Sequence, residues 1–288
     1  MNTEAFIAWL NLCNAYQAAD YLPFYLDDQP LGAIHRERLS LFSAYPSVFV
    51  HTERGLTLHP SLVGVKARSA AVTSLLKAWH TQGIITAWRD EPYRIATRYG
   101  AEPLLLLERA AASLFGVQKY GVHLNGYTWQ SGVQYLWIAR RSRHSPTYPS
   151  QLDQVVAGGL GAGYSAQQTL FKEAAEEASI PSGLAERAKP VSLVSYCMTQ
   201  HQNLVRDLLF IYDLELPPDF VPINSDGEVE AFHLWPVTQV IDKVSETREF
   251  KTNTNLVIID FLVRHGYLTP EHPHYVEITQ RLRSHCPF

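Results

Sequence analysis

Apolar positions in the first third of the chain recur at helical spacing in two places. Phe6, Ile7, Leu10, Cys13 and Tyr16 to Ala18 make one stripe, and Val72, Leu75, Leu76 and Trp79 make another that stops at His80-Thr81-Gln82-Gly83. Between and after them lie a short aromatic segment at 21–26, strand-like runs at 48–50 and 93–96, and an apolar run at 104–114 whose length predicts a helix. From about Tyr120 the pattern changes. Residues 123–129 and 135–139 are aromatic and β-branched, and Gln130-Ser131-Gly132 between them is a hairpin-sized turn. Further strands are predicted at 193–198, 205–216 and 231–235, and helices at 165–178, from 237, and at 256–265. The patterns divide the chain into an N-terminal α+β unit (1–115), a second unit with interleaved strands and helices (116–266) and a Pro- and His-rich tail (267–288) expected to pack on the body.

Composition narrows the function classes. With 288 residues, 46% hydrophobic and 18% charged, the chain can bury a full core and is not disordered. A formal net charge of -4 argues against broad phosphate-backbone binding, so no nucleic-acid partner is expected, though a small basic pocket stays open. No run reaches the roughly 18 apolar residues of a membrane span, and the first residues lack a basic leader and a cleavage pattern. Cys13, Cys197 and Cys286 are few and widely spaced, which fits neither a disulfide framework nor a thiolate metal site. A reducing, cytoplasmic setting without membrane attachment is the expectation.

The chemistry is concentrated in residues 158–180, GGLGAGYSAQQTLFKEAAEEASI. Four glycines allow a tight loop, and Ser165 can cap the helix that follows. On that helix Glu173, Glu176 and Glu177 stand at i, i+3 and i+4, on one face. Three carboxylates so close repel unless a cation lies between them, and oxygen donors at that density suit Mg²⁺ or Mn²⁺ rather than zinc. EAAEE alone reads most simply as a solvent-facing acidic helix; the glycine loop before it and the strands around it shift the balance. No nucleophile elbow, Walker loop or dinucleotide fingerprint is present, and the C-terminal histidines match no compact ligand spacing.

This segment resembles the signature of Nudix hydrolases: a glycine, five residues, Glu, seven residues, then Arg-Glu-apolar-x-Glu-Glu-x-Gly-apolar. Laid on Gly158, it brings Glu173, Glu176 and Glu177 into register. Tyr164 stands in place of the first Glu, Lys172 in place of Arg and Ser179 in place of Gly. Further landmarks are NGY at 125–127, WIARRS at 137–142, LDQVVAGGL at 152–160, DLELPPDFVP at 213–222 and DGEVEAF at 226–232. Through them nearly the whole chain is similar to the thiamin pyrophosphokinase-related Nudix proteins, with an N-terminal domain of the DUF4743 type.

That resemblance implies a mixed-sheet α/β/α Nudix sandwich preceded by a smaller α+β domain. It implies Mg²⁺-dependent hydrolysis of thiamine diphosphate or its oxo and oxy derivatives to the monophosphate and phosphate. Glu173, Glu176 and Glu177 would be the ligand and catalytic set, with the Gly158 carbonyl as a further ligand and the identity of the base open. Glu228 is the expected additional carboxylate, with Glu230 as its rival. The motif predicts the bond and not the leaving group. A nucleoside diphosphate derivative is therefore the alternative substrate, and a non-enzymatic ligand-sensing Nudix fold the alternative role.

Several further residues are candidates to hold the small-molecule diphosphate. Arg140, Arg141 and Arg143 follow a strand end and could pair with phosphates. Asn125 and Tyr127 lie on a strand near the expected pocket, and Lys251 precedes the last helix. Asp153 and Gln154 are expected to hold the glycine loop rather than react. Oligomeric state is not legible.

Overall fold

The computed structural model describes residues 2–288. The chain runs α1 (Thr3–Cys13), β1 (Tyr21–Leu26), β2 (Gln29–His35), α2 (Leu39–Ser43), β3 (Phe49–Thr52), β4 (Gly55–Leu58), α3 (Gly64–Thr81), β5 (Pro92–Ile95) and β6 (Leu105–Glu108). It continues through β7 (Gln118–Gln130), β8 (Val133–Arg141), β9 (Leu152–Gln154), β10 (Val156–Gly159), α4 (Ala166–Ala178) and α5 (Ser182–Ala185). It ends with β11 (Lys189–Gln200), β12 (Asn203–Glu215), β13 (Val229–Pro236), α6 (Val237–Glu246), α7 (Thr252–Arg264) and α8 (Tyr275–Arg281). No described helix is long and apolar enough to cross a membrane.

The first unit carries a four-stranded sheet in the order β2-β1-β4-β3 and a separate β5-β6 hairpin. Val72, Leu75, Leu76 and Trp79 of α3 close over it in a core shared with Phe24, Phe42 and Phe115. The apolar run at 104–114 does not form the predicted helix. Leu105 and Leu107 face this core as alternate residues of β6, and a single 3-10 turn at Arg109–Ala111 follows. Pairing with β5 outweighs helical propensity there.

The second unit is built on a mixed seven-stranded sheet. Its main path is β11-β12-β7-β8-β13, with β10 added to β7 and β9 to β8; β12 and β7 run parallel and the other pairs antiparallel. Ser131 (φ 50°) and Gly132 (φ 80°) turn β7 into β8 with both central residues left-handed, as a tight two-residue hairpin requires. Helices cover both faces. Leu170, Ala174 and Ala178 of α4 pack on Val122, Leu124 and Val156. On the opposite face α6, α7 and α8 pack on Leu136, Ile138, Leu209 and Ile211. The result is an α/β/α sandwich preceded by a smaller α+β unit.

The boundary expected at residue 115 separates the sequence but not the packing. Phe6, Trp9, Leu10 and Cys13 of α1 are buried in the core of the second unit, beside α6 and α7. Trp9 Nε1 donates to Val244 O at 2.9 Å. Further along, Leu268, Ile278 and Leu282 of the tail enter the same core, and Cys286 reaches back to Cys197 and Tyr21.

Candidate active site

The site grows from β10 and α4. Strand β10 pairs with β7, Gly158 opposite Val122, and ends in the glycine loop. Ser165 then starts α4 with a reciprocal cap: its Oγ accepts from Gln168 N (3.2 Å) and Gln168 Oε1 accepts from Ser165 N (2.9 Å). The helix ends at Ser179, which takes the left-handed conformation (φ 50°, ψ 35°) that the Nudix pattern assigns to glycine.

The three glutamates share one side of α4 but differ in depth. Glu176 is half exposed, Glu173 is 16% exposed and Glu177 only 6%. Glu173 lies flat against β10. A Cβ added at Gly158 would stand 2.4 Å from its Cγ, so only glycine leaves it room. Lys172 Nζ sits between Glu173 Oε1 (3.2 Å) and Glu176 Oε2 (2.8 Å). Burial works against the lysine's charge, but its hydrogen bonds and attraction to the two glutamates outweigh that and raise its pKa. Burial also raises the Glu173 carboxyl, with Lys172 opposing.

Glu177 accepts one backbone N–H, from Ala157, at 2.8 Å. Burial pushes its pKa well above the usual carboxylate range, and the charges of Glu173, Asp153 and Glu228 push the same way. The loop carrying Glu228 is tied to the end of α4. Ser225 Oγ donates to Glu176 O at 2.5 Å, and Ile223 N donates to Ala178 O at 3.1 Å.

Residues of the first unit complete the surroundings, and sequence reasoning did not find them. Arg89 Nη1 pairs with Glu228 at 3.3 Å. Arg109 pairs with Glu91 and lies over the Tyr93 ring, 5.7 Å from its centre. The Tyr93 hydroxyl fills the place a side chain at Gly159 would take. Ala162 N donates to Pro92 O at 2.8 Å. Thus the β5-β6 hairpin docks on the glycine loop. Contacts this distant in sequence leave no local pattern; the one trace is a glycine at 159 with no turn to require it.

The other proposed ligand contacts are not brought to the carboxylates. Asn125 and Tyr127 belong to the face of β7 opposite α4. Asn125 Nδ2 donates to Asp213 Oδ1 at 3.0 Å, and Asp213 also pairs with Arg264 and His265. Tyr127 packs edge-on against Phe261 and His265. Lys251 Nζ pairs with buried Asp153 at 2.9 Å, where Thr254 Oγ1 also donates at 2.6 Å. Arg141 donates to Thr147 O and to Ser145 Oγ (2.5 Å) and so holds its own loop. Arg140 donates to Ser150 O at 2.9 Å. Only Arg143 stays free of acidic partners, on the exposed loop beside His144.

Comparison with known proteins fixes the family. The chain is 41% identical over 290 residues to the protein named Nudix hydrolase 20, chloroplastic, of Arabidopsis thaliana, covering 97% of this chain and 78% of that one. The chain is a Nudix hydrolase. Nudix hydrolase 24, chloroplastic, of the same plant is also 41% identical, with the same coverage. An uncharacterised protein of Saccharomyces cerevisiae is 37% identical over 71% of this chain and 63% of its own. Residues 5–119 match the family described as a domain of unknown function (DUF4743). Among solved structures, the NUDIX domain of Shewanella oneidensis NrtR, complexed with ADP ribose, is 14% identical, covers 54% of this chain and 91% of its own, and has a TM-score of 0.42. Membership places this Nudix chain among the diphosphatases and pyrophosphohydrolases.

The side chains suit a hard divalent ion in chemistry more than in present arrangement. Glu173 and Glu176 already share one cation, the Lys172 ammonium. Glu177 is a buried carboxylate whose charge is supported by one backbone N–H and would be favoured further by a nearby cation. Yet among the described residues no group of three or more His, Cys, Asp or Glu converges as a ready ligand set. Holding an ion would require Lys172 to give way.

Proposed function

We propose that this Nudix hydrolase cleaves the phosphoanhydride bond of a small-molecule diphosphate, using Mg²⁺ or Mn²⁺ held by Glu173, Glu176 and Glu177. The observation that carries the reading is the three carboxylates on one side of α4, with Glu173 laid on the bare backbone of Gly158. When bound, the ion would neutralise phosphate charge and acidify a water. The chain's own groups do the rest. Glu228, on the loop tied to the end of α4, is the further oxygen donor we assign; the Gly158 carbonyl, expected from the sequence as another, instead faces β7, 3.1 Å from where a Cβ on Gly121 would stand. Glu173, mostly buried against Gly158, is the carboxylate we assign to take the proton from the water. Arg89, paired with Glu228, and Arg109, paired with Glu91, are the first-unit cations we assign to the phosphate oxygens; Arg140, Arg141 and Lys251 hold their own loops and Asp153.

For the organic group, the sequence resemblance favours thiamine diphosphate or its oxidised forms. The second reading is a nucleoside diphosphate derivative, favoured by a cation-lined cavity beside the glycine loop. The test is anhydride cleavage with Mg²⁺ on thiamine diphosphate, its oxo and oxy forms, ADP-ribose, NADH, coenzyme A and nucleoside di- and triphosphates, with products identified by mass. Turnover should need the ion and should fall at least about a hundredfold in Glu176→Gln and in Glu177→Gln. Turnover that survives both substitutions, or a chelator, would sink the reading.

A further inference from the structure

A cavity of about 390 Å³ lies between the first unit and the outer side of the glycine loop. Arg94, Arg98 and Lys119 line it, and no described carboxylate does. Lys119 is paired with Asp207 at 3.0 Å, and Arg94 reaches the almost fully exposed Glu102 only at 3.8 Å. Arg98 has no ion pair among the described residues. One wall is aromatic: Tyr99 stands 49% exposed, with its ring 5.1 Å from Tyr120 and 4.8 Å from Phe210. Residues 160–165 form the facing wall and end at Ser165, at the positive end of α4.

One residue of the cavity wall stands next to the carboxylate site. Tyr93 lines it, and its hydroxyl abuts Gly159, next to the Gly158 on which Glu173 lies. Along α4, Ser165 and Glu173 are about 12 Å apart at 1.5 Å per residue, a span that a diphosphate ester of a heterocycle can cover. An exposed aromatic ring accepts a planar ring on its face. The unpaired Arg98, with no carboxylate on the cavity wall, favours a ring that is neutral or anionic and opposes one with a fixed positive charge.

We infer that this cavity is the specificity site: it takes the planar, uncharged or anionic heterocycle of the diphosphate substrate, with the ring on Tyr99 and an anionic group of the ligand, such as a phosphate, at Arg98. This deepens the hydrolase reading and rests on it for the diphosphate end alone. The DUF4743 unit would then choose the substrate, and a permanently cationic thiazolium would be a poor fit.

The probes are adenosine monophosphate and thiamine monophosphate, titrated calorimetrically into the full chain with a chelator present, so that no ion contributes. Adenosine monophosphate should bind at least about tenfold more tightly than thiamine monophosphate. Tyr99→Ala and Arg98→Ala, both at solvent, should each weaken it about tenfold. Thermal midpoints equal to the parent's establish that both variants fold, and Arg98→Ala alone decides should Tyr99→Ala lose stability. The inference is overturned if neither probe binds, if thiamine monophosphate binds as well, or if the Arg98 variant binds like the parent. Failure of the hydrolase reading shows separately, as turnover that survives Glu176→Gln.

Discussion

Glu177 is 6% exposed and accepts a single backbone N–H, so its negative charge is poorly solvated. Its folded pKa lies well above the ordinary 4.5. Below pH 4.5 both folded and unfolded chains hold the proton, and the group costs nothing. As pH rises from 4.5 towards the folded value, the unfolded chain releases the proton first, and stability is lost over that window. Glu177→Gln removes this loss and keeps an oxygen for the Ala157 N–H. The variant should therefore unfold about 2–4 °C higher than the parent at neutral pH without added metal, with a flatter dependence of the midpoint on pH above 4.5. The same variant should be nearly inactive. A midpoint that drops, or an unchanged pH dependence, would show that Glu177 is not held as a strained acid. The side of the helix this residue shares with Glu173 was legible in the sequence, through their spacing, but its depth was not. Helical spacing gives a shared side, while the degree of burial depends on how β10 and the Glu228 loop close over the helix.

Helix α4 illustrates how unevenly an element can be read. Its start was legible in Ser165 and its acidic side in the glutamate spacing, because both follow from local geometry. Strand β7 was legible as a strand, but not which of its faces looks at α4. Alternation sorts Val122 and Leu124 from Asn125 and Tyr127 without saying which set meets the site, and a strand covered on both faces is apolar on both. The run at 104–114 forms a strand and a 3-10 turn and not the predicted helix, because short apolar stretches carry no decisive period. The end of α4 holds its own test. Ser179 occupies φ 50°, where an L-residue with a side chain is strained and glycine is not. Ser179→Gly should stabilise by about 0.5–1 kcal/mol, a rise of about 1–3 °C in the thermal midpoint, and should leave turnover within about twofold. A lower midpoint would mean that the serine side chain stabilises the cap in a way its backbone angles conceal.

At the scale of the molecule, chain order and packing disagree. The 5–119 segment matches a family of its own, yet α1, within it, belongs physically to the sheet of the second unit. Phe6 and Leu10 are fully buried there, and Trp9 is nearly so, with Arg248 over its ring at 4.2 Å. At about 1.5–3 kcal/mol for each large apolar side chain, these three contribute an amount comparable to the whole stability of a typical domain, about 5–15 kcal/mol. The tail closes the arrangement from the other end, with Phe288 against Tyr21 at 5.8 Å. A fragment covering 116–288 would lose α1, expose the apolar groove between α6 and α7, and leave the glycine loop without the β5-β6 hairpin. We expect it to lack a cooperative urea transition and fixed aromatic packing by near-ultraviolet circular dichroism, whereas the full chain unfolds in one transition. A fragment that unfolds sharply near the full chain's midpoint would show that the second unit is complete without α1. If the fragment fails as expected, the first unit cannot be a detachable addition: the same segment that lines the specificity cavity also holds the catalytic sandwich together, so changes at α1 should disturb stability and turnover in parallel.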